Sequence, residues 1–364
     1  HIFNLHNKND SADVEFFKAW FRAKYAITVR ERKADSENQD YEQIGTRLHD
    51  WFKDNHKEKF NLTQSDQFYD FFKYELRFFV NQYLNILDKS QVFDPDYEYL
   101  YYINRWGIAR SIQDALLLAP LKSSDNNLVI NEKLNAVARF IETYTVRRSV
   151  NFKKFGQSSI RYTFFNTIKS IRNLELDELK RTLHQKLLDM DENFEAVLNF
   201  RLHQQNKNFV KHLLSRITAY VDQHTGRNTS YDLYYEPKGK KFEIEHLLKN
   251  NFEAFEDEYD KESEFLSARN SIGALILLPN GTNQSFNSDD YEDKLQHYIK
   301  ENSYAQTLHS DFYVKNPNFK NSELNSIGFK NHTNFNKKDI EERTEVVRRL
   351  CENIWNIDYF TVKK

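Results

Sequence analysis

Glu245 and His246 stand side by side in FEIEHLLKNNF, residues 242–252. A carboxylate and an imidazole are groups that bind metal ions and move protons. Further along, Asn283 and Asn287 lie four residues apart, a spacing that puts two amide oxygens on one face of a helix. The oxygens of Glu245, Asn283 and Asn287 suit a hard cation such as Mg²⁺ or Mn²⁺. A neutral His246 beside them could take a proton from water while the cation stabilises charge on a leaving oxygen, a division of labour suited to phosphodiester hydrolysis. On spacing alone, a Glu-His pair at a strand end is also ordinary surface chemistry, and both readings stand at this point.

Three elements must converge for such a site to exist. Phe242–His246 alternates like a strand, and the apolar run Ile272–Leu278, ending at Pro279, reads as a second. After the turn signal Pro279-Asn280-Gly281, residues 283–299 can form a helix. The acidic insert Glu253–Glu264 reads as a solvated loop or helix face. Everything from about residue 10 to 222 follows helical steps: Phe68, Phe72, Leu76, Phe79, Tyr83 and Leu87 form one stripe, and Val210, Leu213, Leu214, Ile217 and Val221 another. Residues 222–241 carry Gly226, Pro237 and Gly239 and no stripe, so the domain boundary is expected there, with a helical domain at 1–225 and a second domain at 226–364.

Composition sets outer limits. The chain has 364 residues, enough for about two domains, and its 8 Gly and 5 Pro leave long helices uninterrupted. Cys351 is the single cysteine, which excludes an internal disulfide and a zinc site of paired cysteines and favours a reducing, cytoplasmic setting. No run approaches the roughly 20 apolar residues needed to span a bilayer, so no membrane partner is expected. A chain beginning at His1 without Met reads as a fragment or a processed protein. Net charge is only −2, so attraction to nucleic acid would have to be local. Between Thr143 and Asn173 there is no acidic residue, and Arg147, Arg148, Lys153 and Lys154 alternate with aromatics there. That segment reads either as a phosphate-tracking, DNA-binding surface or as a solvated face of a helical pair.

The run EIEHLL, followed by RNSIGALILLPNGTNQSFN and by Tyr291 and Lys294, resembles the C-terminal HNH-type nuclease domain of the GmrSD-type restriction endonucleases. The closing helix with Ile340, Arg343, Leu350, Ile354 and Trp355 is similar to that family's last helix, and Val146–Arg148 to an arginine-bearing helix in its middle region. The resemblance implies an α+β protein: a mainly helical N-terminal domain, then a ββα-metal (HNH-like) nuclease domain with C-terminal helices. It implies that His246 is the general base, Glu245 the adjacent metal ligand and Asn283 the ligand on the helix, with Asn287 as the alternative and Lys294 and Arg343 in support. The family's middle asparagine, which braces the loop around the histidine, falls on Ala274, whose methyl group cannot make that bond. Asn270 is the substitute if the register differs.

The reading implied is a metal-dependent DNA endonuclease of a restriction or phage-defence system, acting on DNA, with modified phage DNA a candidate substrate. The family's nucleotide-hydrolysing ParB-like part has no counterpart box here, so a partner domain or subunit is expected to supply it. The alternative is a catalytically degenerate nucleic-acid-binding or interaction module, for which Ala274 speaks.

Overall fold

Apolar residues at three- and four-residue steps, with few Gly or Pro to break them, should give helices, and the computed structural model bears this out. It describes residues 11–31, 33–236, 239, 241–281 and 289–362. The architecture is α+β, helices throughout and, among the described residues, one antiparallel two-stranded sheet. Contacts divide the chain into two compact units. One takes residues up to Thr145, Lys154–Asp191 and the chain from Ile357; the other takes Val146–Lys153 and Glu192–Asn356.

In the first unit, helices α1 (Ala12–Lys24), α2 (Arg77–Lys89) and α3 (Arg110–Leu118) pack together, α4 (Asn127–Val150) contributes its residues up to Thr145, and α5 (Gln157–Ile171) lies against α3. Trp20 stacks on Phe16, Phe71 and Phe79 and is fully buried. The stripe read through Phe68, Phe72 and Leu76 is interrupted: Phe71–Leu76 is a π-helix, whose wider turn rotates the face, so Phe71 is buried and Phe72 is 53% exposed.

The second unit builds the sheet. Strand β1 (Phe242–His246) pairs with β2 (Leu275–Pro279), with Glu245 opposite Ile276 and His246 opposite Leu275. Leu275, Ile276, Leu277 and Leu278 are all fully buried, as a continuous apolar run requires of a strand covered on both faces. Helix α6 (Lys207–His224) packs against β2, and its stripe Val210, Leu213, Leu214, Ile217 and Val221 is fully buried. The compositional break after residue 225 follows the end of α6, a helix that the contacts group with the sheet. Asn302 Nδ2 donates to Leu277 O at 2.8 Å, which satisfies a β2 carbonyl.

Two expectations shift here. Residues 272–274, read as the start of the second strand, form a 3₁₀ turn. The cause is Gly273, where a Cβ would lie 2.4 Å from Thr344 Oγ1 and 2.5 Å from the Thr344 backbone nitrogen. Only glycine lets this turn sit against helix α9 (Lys337–Ile354). The helix read from residue 283 is α8 (Tyr291–Tyr298) in its described part, preceded by an extended Asp290. Short helix α7 (Glu262–Arg269) precedes the 3₁₀ turn.

Candidate active site

A strand sends successive side chains to opposite faces, so β1 presents Glu245 and His246 to different neighbours. Glu245 is 2% exposed, and its Oε1 accepts from Lys294 Nζ on α8 at 2.7 Å. Lys294, itself 1% exposed, also donates to His246 O at 3.1 Å, so one ammonium ties α8 to the strand end. Burial raises the Glu245 carboxyl above its usual range, with Lys294 pulling the other way. Its second oxygen makes no hydrogen bond to the described residues.

His246 turns to the other side and is half-buried. Its Nε2 lies 3.0 Å from Asn270 Oδ1, at the C-terminal end of α7. Burial is the largest cause holding the ring's pKa down to about 4, followed by the charge of Arg269. The Asn270 bond acts in the opposite sense, and Lys294 and Lys207 add to the lowering. At neutral pH the ring is therefore an uncharged base in a field of three cations.

The remaining residues singled out from sequence fall as follows. Asn283 and Asn287 lie outside the described residues. Ala274 is fully buried in the 3₁₀ turn, and its carbonyl accepts from Leu247 N at 2.9 Å, extending the β1–β2 pairing. Arg343 is buried with its guanidinium 4.3 Å from the Tyr304 ring centroid, and its fork donates to Thr307 Oγ1 and Tyr304 O. It clasps α9 to the 303–307 segment. Lys249 pairs with Asp290 at 2.5 Å and so links the end of the β1 loop to the start of α8.

Sequence reasoning passed over Arg269. Its Nε donates to Leu248 O at 3.0 Å, and its charge acts on both Glu245 and His246. The only sequence signal is an Arg-Asn step between the acidic insert and the apolar strand. Among the described residues no three His, Cys, Asp or Glu side chains converge as a metal cluster. A cation here would rest on the free oxygen of Glu245 together with amide or water oxygens, a set suited to a hard ion that keeps several waters.

The basic stretch is less free than its composition implies. Arg148 donates to Glu192 Oε1 at 2.9 Å, Lys153 Nζ lies 3.3 Å from the same oxygen, and Arg147 sits half-buried with its guanidinium 5.7 Å from the Phe194 ring centroid. Glu192 is 7% exposed. Arg148→Glu should therefore set two carboxylates against each other and cost about 2 kcal/mol, read as a lower urea midpoint, whatever it does to DNA binding. An unchanged midpoint would show the pair to be idle. Lys153 and Lys154 are exposed, and neutralising them also probes phosphate contact.

The first unit holds a cleft of about 590 Å³ lined by Tyr25, Phe60, Phe71, Tyr74 and Glu75. Its Lys24 ammonium donates to Ala119 O, Leu121 O and Asn173 Oδ1 at 2.6–2.7 Å, which commits all three of its hydrogens to capping carbonyls. The perturbed groups that could do chemistry lie instead at the end of β1.

Residues 188–350 match the family model for the C-terminal domain of the GmrSD restriction endonucleases. No curated protein and no solved structure matches the chain.

Proposed function

Since residues 188–350 belong to the C-terminal domain family of the GmrSD restriction endonucleases, we infer that this chain hydrolyses phosphodiester bonds in DNA, with the chemistry at the end of β1. β1, β2 and α8 would supply the strand, strand and helix of an HNH-like, ββα-metal site. The observation that carries this reading is His246, a neutral ring held by Asn270 in the field of Arg269, Lys294 and Lys207. Arg269 and Lys207, which unlike Lys294 are not neutralised in a buried pair, can draw a phosphate toward the ring, and an uncharged imidazole can then remove a proton from the attacking water. Glu245, with Asn283 or Asn287, would hold Mg²⁺ or Mn²⁺. When bound, the ion would stabilise charge on the leaving oxygen. Lys294 leaves Glu245 one free oxygen for that role and fixes the direction in which it points.

Plasmid and phage DNA, modified and unmodified, incubated with Mg²⁺, Mn²⁺ or chelator test the reading. Cleavage with metal and none with chelator is expected, and the substrate comparison identifies any modification the chain requires. No cleavage of any DNA with either metal would contradict it. A ParB-like nucleotide-hydrolysing domain or subunit would add nucleotide control. No helix among the described residues is long and apolar enough to cross a membrane.

The acid limb of kcat/KM should fall near pH 4, where His246 takes its proton, and not near 6.5. Stability follows the same group. Between pH 6.5 and about 4 the unfolded chain binds a proton that the folded ring refuses. This histidine's contribution is therefore present above pH 6.5 and is lost as the pH falls to about 4. A pH–rate profile with its acid midpoint at 6 or above would remove His246 from the role of base.

The Glu245–Lys294 pair favours a second reading, because a carboxylate already neutralised by an ammonium has less need of a metal. On that reading the chain is a DNA-binding module with an inactive HNH-like site, and the same assay would show binding without cleavage.

A further inference from the structure

Asn270 is held on three sides. Its backbone nitrogen donates to Leu266 O at 3.1 Å, its Nδ2 donates to the same carbonyl at 2.9 Å, and its own carbonyl accepts from Leu202 N at 2.8 Å. The carboxamide is thereby oriented. Swapping its oxygen and nitrogen would set Oδ1 against Leu266 O, so the atom facing His246 Nε2 is the oxygen. An amide oxygen only accepts, which means that Nε2 carries the hydrogen. In a neutral imidazole the lone pair then lies on Nδ1, and His246 Nδ1 makes no hydrogen bond to the described residues.

We propose that Asn270 is the positioning residue of the site: it holds His246 as the Nε2–H tautomer and makes Nδ1 the nitrogen that takes the proton. The catalytic half of this statement rests on His246 being the base; the tautomer does not. The brace that the family places in the second strand stands four residues earlier, at the end of α7, and Ala274 is free to be a buried methyl in the 3₁₀ turn. Arg269 strengthens the arrangement from the adjacent position. Its bond to Leu248 O ties the end of α7 to the loop leaving β1, so ring and brace are carried on segments linked to each other.

The groups facing His246 are Asn270 and Arg269 from the end of α7, Lys294 from α8 and Lys207 from the start of α6, all cationic except the amide. Replacing that amide by a carboxylate should therefore have a large and readable effect. In ¹⁵N spectra of the histidine-labelled chain, with His246→Gln identifying the resonances, wild-type protein at pH 7 should show a protonated Nε2 and an unprotonated Nδ1. Asn270→Asp should raise the titration midpoint of the ring by one unit or more, since the carboxylate favours the charged form. Asn270→Ala should leave a mixture of tautomers and lower kcat about tenfold to a hundredfold with little change in KM.

A wild-type ring protonated on Nδ1 overturns the proposal, as does an Asn270→Asp ring that titrates where the wild-type ring does. Should Asn270→Ala fail to fold, the wild-type spectrum and the Asn270→Asp titration still decide. If the tautomer and its dependence on Asn270 are found but no form of the chain cleaves DNA, the assignment of Asn270 to the ring stands and the nuclease reading falls.

Discussion

His246→Ala should lower the single-turnover rate of DNA cleavage by a factor of about 10² to 10⁴, the range in which a positioned general base contributes. The ring is half-buried and its one hydrogen bond to the described residues is to Asn270, whose carboxamide remains anchored on Leu266. The variant should therefore fold, with a thermal midpoint close to that of the wild type at neutral pH. At acidic pH the sign reverses. Wild-type protein loses stability between pH 6.5 and about 4 because its buried ring resists protonation, and the alanine variant, lacking that ring, should lose less over the same interval. Cleavage within tenfold of wild type would place the base elsewhere.

Lys294→Met is expected to be the most destabilising single change at the site. Both members of the Glu245–Lys294 pair are almost completely buried, 2% and 1% exposed, and methionine keeps much of the lysine's volume while deleting its charge. What remains is a carboxylate in a dry interior without its partner, for which a loss of about 3–5 kcal/mol is expected. The variant's Glu245 would titrate far above the normal carboxylate range. A folded-state pKa raised in this way means that the folded chain binds the proton first as the pH drops, so the deficit should shrink toward acidic pH. Glu245→Gln on the Lys294→Met background should recover part of the loss. Denaturant midpoints of the four chains form a double-mutant cycle, and additive effects would mean that the pair carries no coupling.

The parts of this site that were legible in the sequence are those fixed by local pattern. Strand β1 follows from the alternation of Phe242–His246, and β2 from an apolar run too continuous for a one-sided sheet. Pattern could not place the start of β2, because Gly273 is shaped by Thr344, far along the chain on α9. Nor could it weigh Asn270 against Ala274. The family resemblance pointed to position 274, while the contact with His246 depends on helix α7 folding back and on Leu202 capturing the Asn270 carbonyl. The acid-free stretch from Thr143 to Asn173 is a related case, because the window shows its cations and not their partners. Glu192, outside the window, is the partner of Arg148 and Lys153. The π-helix at Phe71–Leu76 is a further case, since a 3.6-residue template assigns Phe72 to the core that Phe71 occupies. Each miss involves a contact or a backbone irregularity that no periodicity encodes.

The central claim is that the end of β1 cuts DNA with His246 as base and a divalent ion beside Glu245. Single-turnover cleavage of one DNA substrate by wild type and by His246→Ala, at matched folded fraction, over a Mn²⁺ titration with a chelator control, tests it most directly. The expected result is cleavage by the wild type that rises with Mn²⁺ and stops with chelator, and a His246→Ala rate at least a hundredfold lower that saturating Mn²⁺ does not restore. Equal rates for the two chains, or wild-type cleavage that persists in chelator, would contradict it.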